Sequence, residues 1–250
     1  MIPYFSFTTI HLGPIPIQVW GLMVALGFLI GAKVSERRLK KLGLNHTIVS
    51  DMLGWMILWA LIVSRFVHVF VYEPAYYFAH PSEIVRIWEG GMSIYGGLIA
   101  ATLTAFVLLR RRKLDVMKYA DATIFGLPFG LAIGRLGCFF IHDHPGTATH
   151  FFLGMKYPDG IVRHDLGLYE SLTNFVLFGI FLLMSKYCVQ QGWYLAVFAL
   201  WYGTTRFFMD FLRTIDTRYF GLTPAHYFSL VLIFIGCLCV YRIRRSLPSS

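Results

Sequence analysis

Apolar runs of membrane length recur from one end of this chain to the other, over about 17–34, 48–72, 92–109, 120–141, 169–187, 193–212 and 225–241. A helix rises about 1.5 Å per residue, so roughly 20 apolar residues cross a hydrocarbon core about 30 Å thick. Inside lipid every backbone N–H and C=O must be paired within the segment, which makes each run an α-helix. Charged residues are only 14% of the 250, against roughly a quarter in soluble domains, and mean hydropathy is +0.62. These values exclude a soluble globular protein.

The formal net charge of +9 raises nucleic acid as a partner, but the basic residues sit in short clusters between the runs. That placement orients a chain in a membrane and argues against nucleic acid. The connections after the first, third, fifth and seventh runs hold fourteen of the 22 Lys and Arg. The opposite connections hold five, and Arg65, Arg135 and Arg206 fall within runs. The expected fold is an all-α integral membrane protein of about seven transmembrane helices, with the N-terminus outside and the C-terminus cytoplasmic. It forms one domain over residues 1–250, with a short arm (1–18) at the interface and a small outward-facing segment at 142–168. The arm contains Pro3, Pro14 and Pro16 and is too irregular to span. Without Lys or Arg in the first 17 residues, no cleavable signal peptide is expected. Cys138, Cys188, Cys237 and Cys239 form no C-x-x-C pair and suggest no disulfide framework.

Residues 134–146, Gly-Arg-Leu-Gly-Cys-Phe-Phe-Ile-His-Asp-His-Pro-Gly, are where chemistry is expected. A charge such as Arg135 inside a span costs about 2.5–3.5 kcal/mol on insertion scales, so it needs a partner and a purpose. His142, Asp143 and His144 follow at the membrane surface, before Pro145-Gly146 ends the helix. By the expected topology Arg65, Arg135 and Arg206 all lie in the outer half. Guanidinium forks grip phosphate bidentately, so the three together point to an anion site. Pairing with Glu73, Glu170 or Asp210 is the plainer reading for any one of them.

The His142–Asp143–His144 cluster, near His150 and His164, offers metal ligands, but metal motifs space their ligands onto one face and this one does not. Acid–base work at a headgroup and an inert capping turn both stay open. Tyr95-Gly96-Gly97 opens the third span, where small residues permit close helix approach. Trp20, Trp88 and Tyr202 suit interfacial anchors. Cys138 reads as a small core residue.

The ordered motifs resemble the bacterial prolipoprotein diacylglyceryl transferase family. Trp20-Gly21-Leu22-Met23 is similar to its Trp-Tyr-Gly-Leu-Met, and residues 88–97 are similar to its Trp-(Asp/Glu)-Gly-Gly-Met-Ser-Phe-His-Gly-Gly. Residues 134–139 resemble its Gly-Arg-(Ile/Leu)-Gly-Asn-Phe, and Leu168-Tyr169-Glu170 its Gln-Leu-Tyr-Glu. Tyr202-Gly203, Arg206 and Asp210-Phe211-Leu212-Arg213 resemble its Tyr-Gly…Arg…Glu-Phe-(Phe/Leu)-Arg. The chain departs from the pattern at four places: Trp20 stands for a tyrosine, Tyr95 for a histidine, Cys138 for an asparagine and Asp143 for a glutamate.

The resemblance implies an inner-membrane transferase, its site facing the periplasm. It would move diacylglyceryl from phosphatidylglycerol to the lipobox cysteine thiol at a prolipoprotein signal peptide, without metal or organic cofactor. Catalysis falls to Arg135, Arg206, His144, His142, Asp143 and Tyr95. Headgroup and lipid binding falls to Arg135, Arg206, Arg65, Tyr202, Glu170, Gly96, Gly97 and Cys138. Tyrosine, with a pKa near 10, is a poor base at neutral pH, so His142 or His144 is expected to replace the missing family histidine. A relative that binds phospholipid without catalysis, or modifies another acceptor, is the alternative. A transporter would need polar residues through the inner half as well, where the runs carry none of the three arginines.

Overall fold

A computed structural model describes residues 1–87, 90–187, 190–214 and 218–245; Trp88, Glu89 and Cys188 lie outside the described residues. Helices form where the hydropathy pattern predicts them: α1 (Val19–Lys41), α2 (Ile48–Val67, continued by a π turn His68–Tyr72), α3 (Pro74–Ala79) and α4 (Ile94–Arg111). They continue with α5 (Val116–Thr123), α6 (Leu127–Ile141), α7 (Leu166–Met184), α8 (Trp193–Asp210) and α9 (Pro224–Arg245). Among the described residues, six helical segments are long and apolar enough to cross a membrane: α1, α2 with its π turn, α4, α5 through α6, α7 and α9. Helix α8 has 18 residues and packs along α9. Leu29, Leu103 and Phe234 stay largely exposed, as a lipid-facing surface requires.

Contacts divide the chain into two compact units, residues 1–42 with 120–250, and residues 43–119. In the first, α1 crosses α6 at glycines. A Cβ placed on Gly130 would stand 2.6 Å from the Gly27 carbonyl oxygen, and one on Gly31 3.2 Å from that of Gly126. Small residues let the two backbones touch, and helix packing in lipid depends on such contact. Ser35 adds a hydroxyl bond of 2.7 Å to the Thr123 carbonyl. Gly130→Val should therefore cost about 1–3 kcal/mol by overpacking. A lowered melting temperature in detergent would show it; an unchanged one would mean that the crossing is looser than this.

Two features add detail to the all-α pattern. The fourth span is interrupted by a 3-10 turn at Ile124–Gly126, and Pro128 sits in the first turn of α6, where its missing N–H costs no helical bond. The arm and the 142–168 segment are ordered as strands: β1 (Ile2–Pro3), the hairpin β2 (Thr9–Leu12) with β3 (Ile15–Gln18), then β4 (Pro145–Ala148), β5 (Met155–Lys156) and β6 (Val162–Asp165). Gly13 takes φ +63 in the hairpin turn. The first strand pairs with β5 in a four-stranded sheet ordered β1-β5-β6-β4, so the N-terminus is tied to the segment 150 residues further on.

In the second unit α2 and α4 pack through Gly96, where a Cβ would stand 2.9 Å from Val67. Ser93 caps α4 by accepting the Gly96 N–H, while its own carbonyl accepts the Ser64 hydroxyl at 2.7 Å.

Candidate active site

The site is organised on Glu170, one turn into α7 and 3% exposed. Gly167 lets α7 start against the end of α6: a Cβ there would meet the Phe139 nitrogen at 2.7 Å. Asp165 caps α7 by accepting the Leu168 N–H at 2.9 Å. This placement brings the Glu170 carboxylate between two helices. Its Oε2 lies 2.7 Å from Arg135 Nε on α6, and its Oε1 accepts from Arg206 Nη1 on α8. Each arginine side chain is largely buried, at 19% and 12% exposure.

The charge chain continues past Arg206. Asp210, one turn on, lies 3.2 Å from Arg206 Nη2 and 3.6 Å from Arg213 Nε. It also accepts the Thr223 hydroxyl, and His226 Nδ1 stands 3.4 Å away. Three guanidinium groups thus share two fully buried carboxylates, which leaves positive charge in excess. Arg135 uses Nε for Glu170, while its Nη1 reaches the Cys138 sulfur at 3.8 Å. Sulfur is a weak acceptor, and an anion's oxygen would displace it. Tyr202, one turn before Arg206, stacks on Phe198 with ring centroids 5.5 Å apart.

At the end of α6 the chain reverses. His142 is left-handed (φ 53) and its N–H bonds the Cys138 carbonyl at 2.8 Å, an αL cap. Its ring is buried with Nδ1 2.7 Å from Asp165 and Nε2 2.6 Å from the Phe5 carbonyl. Both ring nitrogens serve the cap, so His142 has none left to act as a base. Asp143 and His144 then fold back over Cys138. His144 Nδ1 lies 2.5 Å from Asp143, and the ring hydrogen-bonds the Cys138 thiol. Asp143, then Cys138, hold this imidazolium well above its usual range, up to about 9.

The structure brings Arg135, Arg206, Glu170, Cys138, Asp143 and His144 into one unit. Arg65, Tyr95, Gly96 and Gly97 belong to the other. Arg65 is 6% exposed and donates to the carbonyls of Glu83 (2.6 Å), Ile84 (2.9 Å), Gly90 (2.7 Å) and Gly91 (2.9 Å), with its guanidinium over Tyr77. This arginine is committed to shaping a loop. Asp165, Thr223 and His226 went unnoticed in the sequence, since each depends on a partner distant in the chain. Asp210 and Arg213 stood in a motif that resembles the family's and could have been found there.

Six helical segments of membrane length make this a polytopic membrane protein, and ionisable groups held within such segments mark a functional site. The sequence model of the prolipoprotein diacylglyceryl transferase family matches residues 8–242, and this chain belongs to that family. Among curated relatives, phosphatidylglycerol–prolipoprotein diacylglyceryl transferases of Bacillus cereus and Bacillus mycoides are 31% and 29% identical, with all of this chain and 96% of theirs aligned. That of Staphylococcus saprophyticus is 28% identical over 99% of this chain and 93% of its own.

Proposed function

We propose that this protein transfers diacylglyceryl from phosphatidylglycerol to the lipobox cysteine of a prolipoprotein signal peptide. The observation that carries this reading is the convergence of Arg135 and Arg206 on the two oxygens of one carboxylate. Glu170 holds both guanidinium groups on one carboxylate, and neither arginine has a carboxylate to itself. In the reaction an S–C bond forms as the bond between the glycerol carbon and the phosphate oxygen breaks. The electron pair stays on glycerol phosphate, whose charge grows by one. Arg135 and Arg206 stabilise that added charge in a site of low dielectric.

The acceptor thiol must give up its proton. His144 lies beside Cys138 and Asp143 and is the group for this exchange: as imidazolium it supports a thiolate or a leaving phosphate, and as imidazole it accepts the proton. His142 keeps the turn in place. Arg65 holds the carbonyls of Glu83, Ile84, Gly90 and Gly91 in its own unit, and Tyr202 lies one turn from Arg206 on α8. The protein spans the bacterial inner membrane seven times, α8 included, with the N-terminus and the 142–168 segment on the periplasmic side. Its arrangement of basic residues supports that orientation.

The test uses purified protein in detergent with phosphatidylglycerol and a lipobox peptide. A thioether-linked product supports transfer; lipid binding without product supports a binding protein instead. His144→Ala, checked for folding by its melting temperature, should lower transfer by about 10²–10⁴-fold, the range for an acid–base group. Full activity in that variant would remove His144 from the chemistry.

A further inference from the structure

We infer that Cys138, Asp143 and His144 form a binding site for a zinc-class divalent cation. Together they offer a sulfur, a carboxylate oxygen and an imidazole nitrogen, all within 4.8 Å of one another. Bonds of about 2.3 Å to sulfur and 2.0–2.2 Å to nitrogen and oxygen put ligand atoms roughly 3–4 Å apart, so a small inward shift closes the set. Mixed sulfur, nitrogen and oxygen donors favour Zn²⁺ over Mg²⁺ and Ca²⁺, which take oxygen.

The chain spacing hides this site, because the three residues do not share a helical face. The left-handed turn at His142 assembles it by folding Asp143 and His144 back over the last turn of α6. That turn is fixed from outside, by Asp165 and the Phe5 carbonyl on its ring and by the Cys138 carbonyl on its N–H. A frame already set leaves little ordering for the cation to impose. Cys138 is buried, while Asp143 is exposed and His144 half-buried, so the cation enters from the polar side and keeps a water as its fourth ligand. A thiolate and a carboxylate match the double charge. Of the neighbouring cations, Arg135 shares Glu170 with Arg206 and lies 3.8 Å from the Cys138 sulfur, and Arg213 shares Asp210, so the two anionic ligands must offset their excess charge as well as the cation's.

The same ground serves proton exchange in the proposed reaction, but binding is read without substrate, so the failure of either idea leaves the other standing. Full-length protein in detergent, titrated with Co²⁺ alone, should develop the near-ultraviolet absorption of a thiolate–cobalt bond, which Zn²⁺ then bleaches. The band should persist with Cys188, Cys237 and Cys239 all changed to Ser. It should vanish in Cys138→Ser, with Zn²⁺ affinity lowered by at least about 100-fold, since losing even an outer partner costs about 10–100-fold. No band in the unaltered protein, or one that survives Cys138→Ser, overturns the site. Should Cys138→Ser fail to fold, Asp143→Asn decides: weaker Zn²⁺ binding upholds the site, and unchanged affinity overturns it.

Discussion

Arg206→Lys should lower diacylglyceryl transfer by about 10²–10³-fold, roughly 2.7–4 kcal/mol of transition-state stabilisation, with the protein still folded. Lysine keeps the positive charge beside Glu170 and Asp210, so the buried network stays neutralised. It loses the planar fork that can meet a phosphate while still bonded to a carboxylate. Arg135→Lys should behave alike, because its Nε holds Glu170 and its terminal nitrogen faces a replaceable sulfur. Product formation from phosphatidylglycerol and a lipobox peptide gives the rate, and detergent melting reports on the fold. Activity within about threefold of the parent in both variants would mean that charge alone matters and the forks do not.

Glu170→Gln should instead act on stability. The amide fits the same space but leaves Arg135 and Arg206 without the carboxylate that bridges them, and breaking a buried ion pair costs about 3–5 kcal/mol. The double variant Glu170→Gln with Arg206→Gln removes a stranded charge as well. It should therefore melt above the temperature that adding the two single effects would give. If Glu170→Gln melts as the parent does, the carboxylate is not what holds α6, α7 and α8 in register.

Long-range partners decide what the sequence could and could not disclose here. The helices were legible because lipid imposes one rule on every run, and Arg135 and Arg206 stood out as charges in apolar surroundings. Glu170 was visible as one candidate partner among several; only the fold shows it serving both arginines, one 35 residues before it and the other 36 after. Strands of two to four residues are too short for an alternating pattern to show, so β1 and β5 read as irregular chain. The role of His142 depends on a left-handed turn held by Phe5 and Asp165, neither of them near it in sequence. Arg65 illustrates the opposite error. Its position in a span suggested a ligand, yet its hydrogen bonds go to four carbonyls of its own unit.

The small sheet also bears on the parity of the proposed spans. Ile2 donates to Gly154 at 2.9 Å, and Thr147 donates to Leu212 at 2.9 Å. Two points that touch sit on one face of the bilayer, so the chain between them traverses it an even number of times. Four long apolar segments separate the first pair, as evenness asks. Between the second pair α7 is one, and among the described residues α8 is the remaining long helix, about 27 Å at 1.5 Å per residue. Evenness is met there when α8, despite its weaker hydropathy, crosses alongside α7, which is the seven-span reading proposed above.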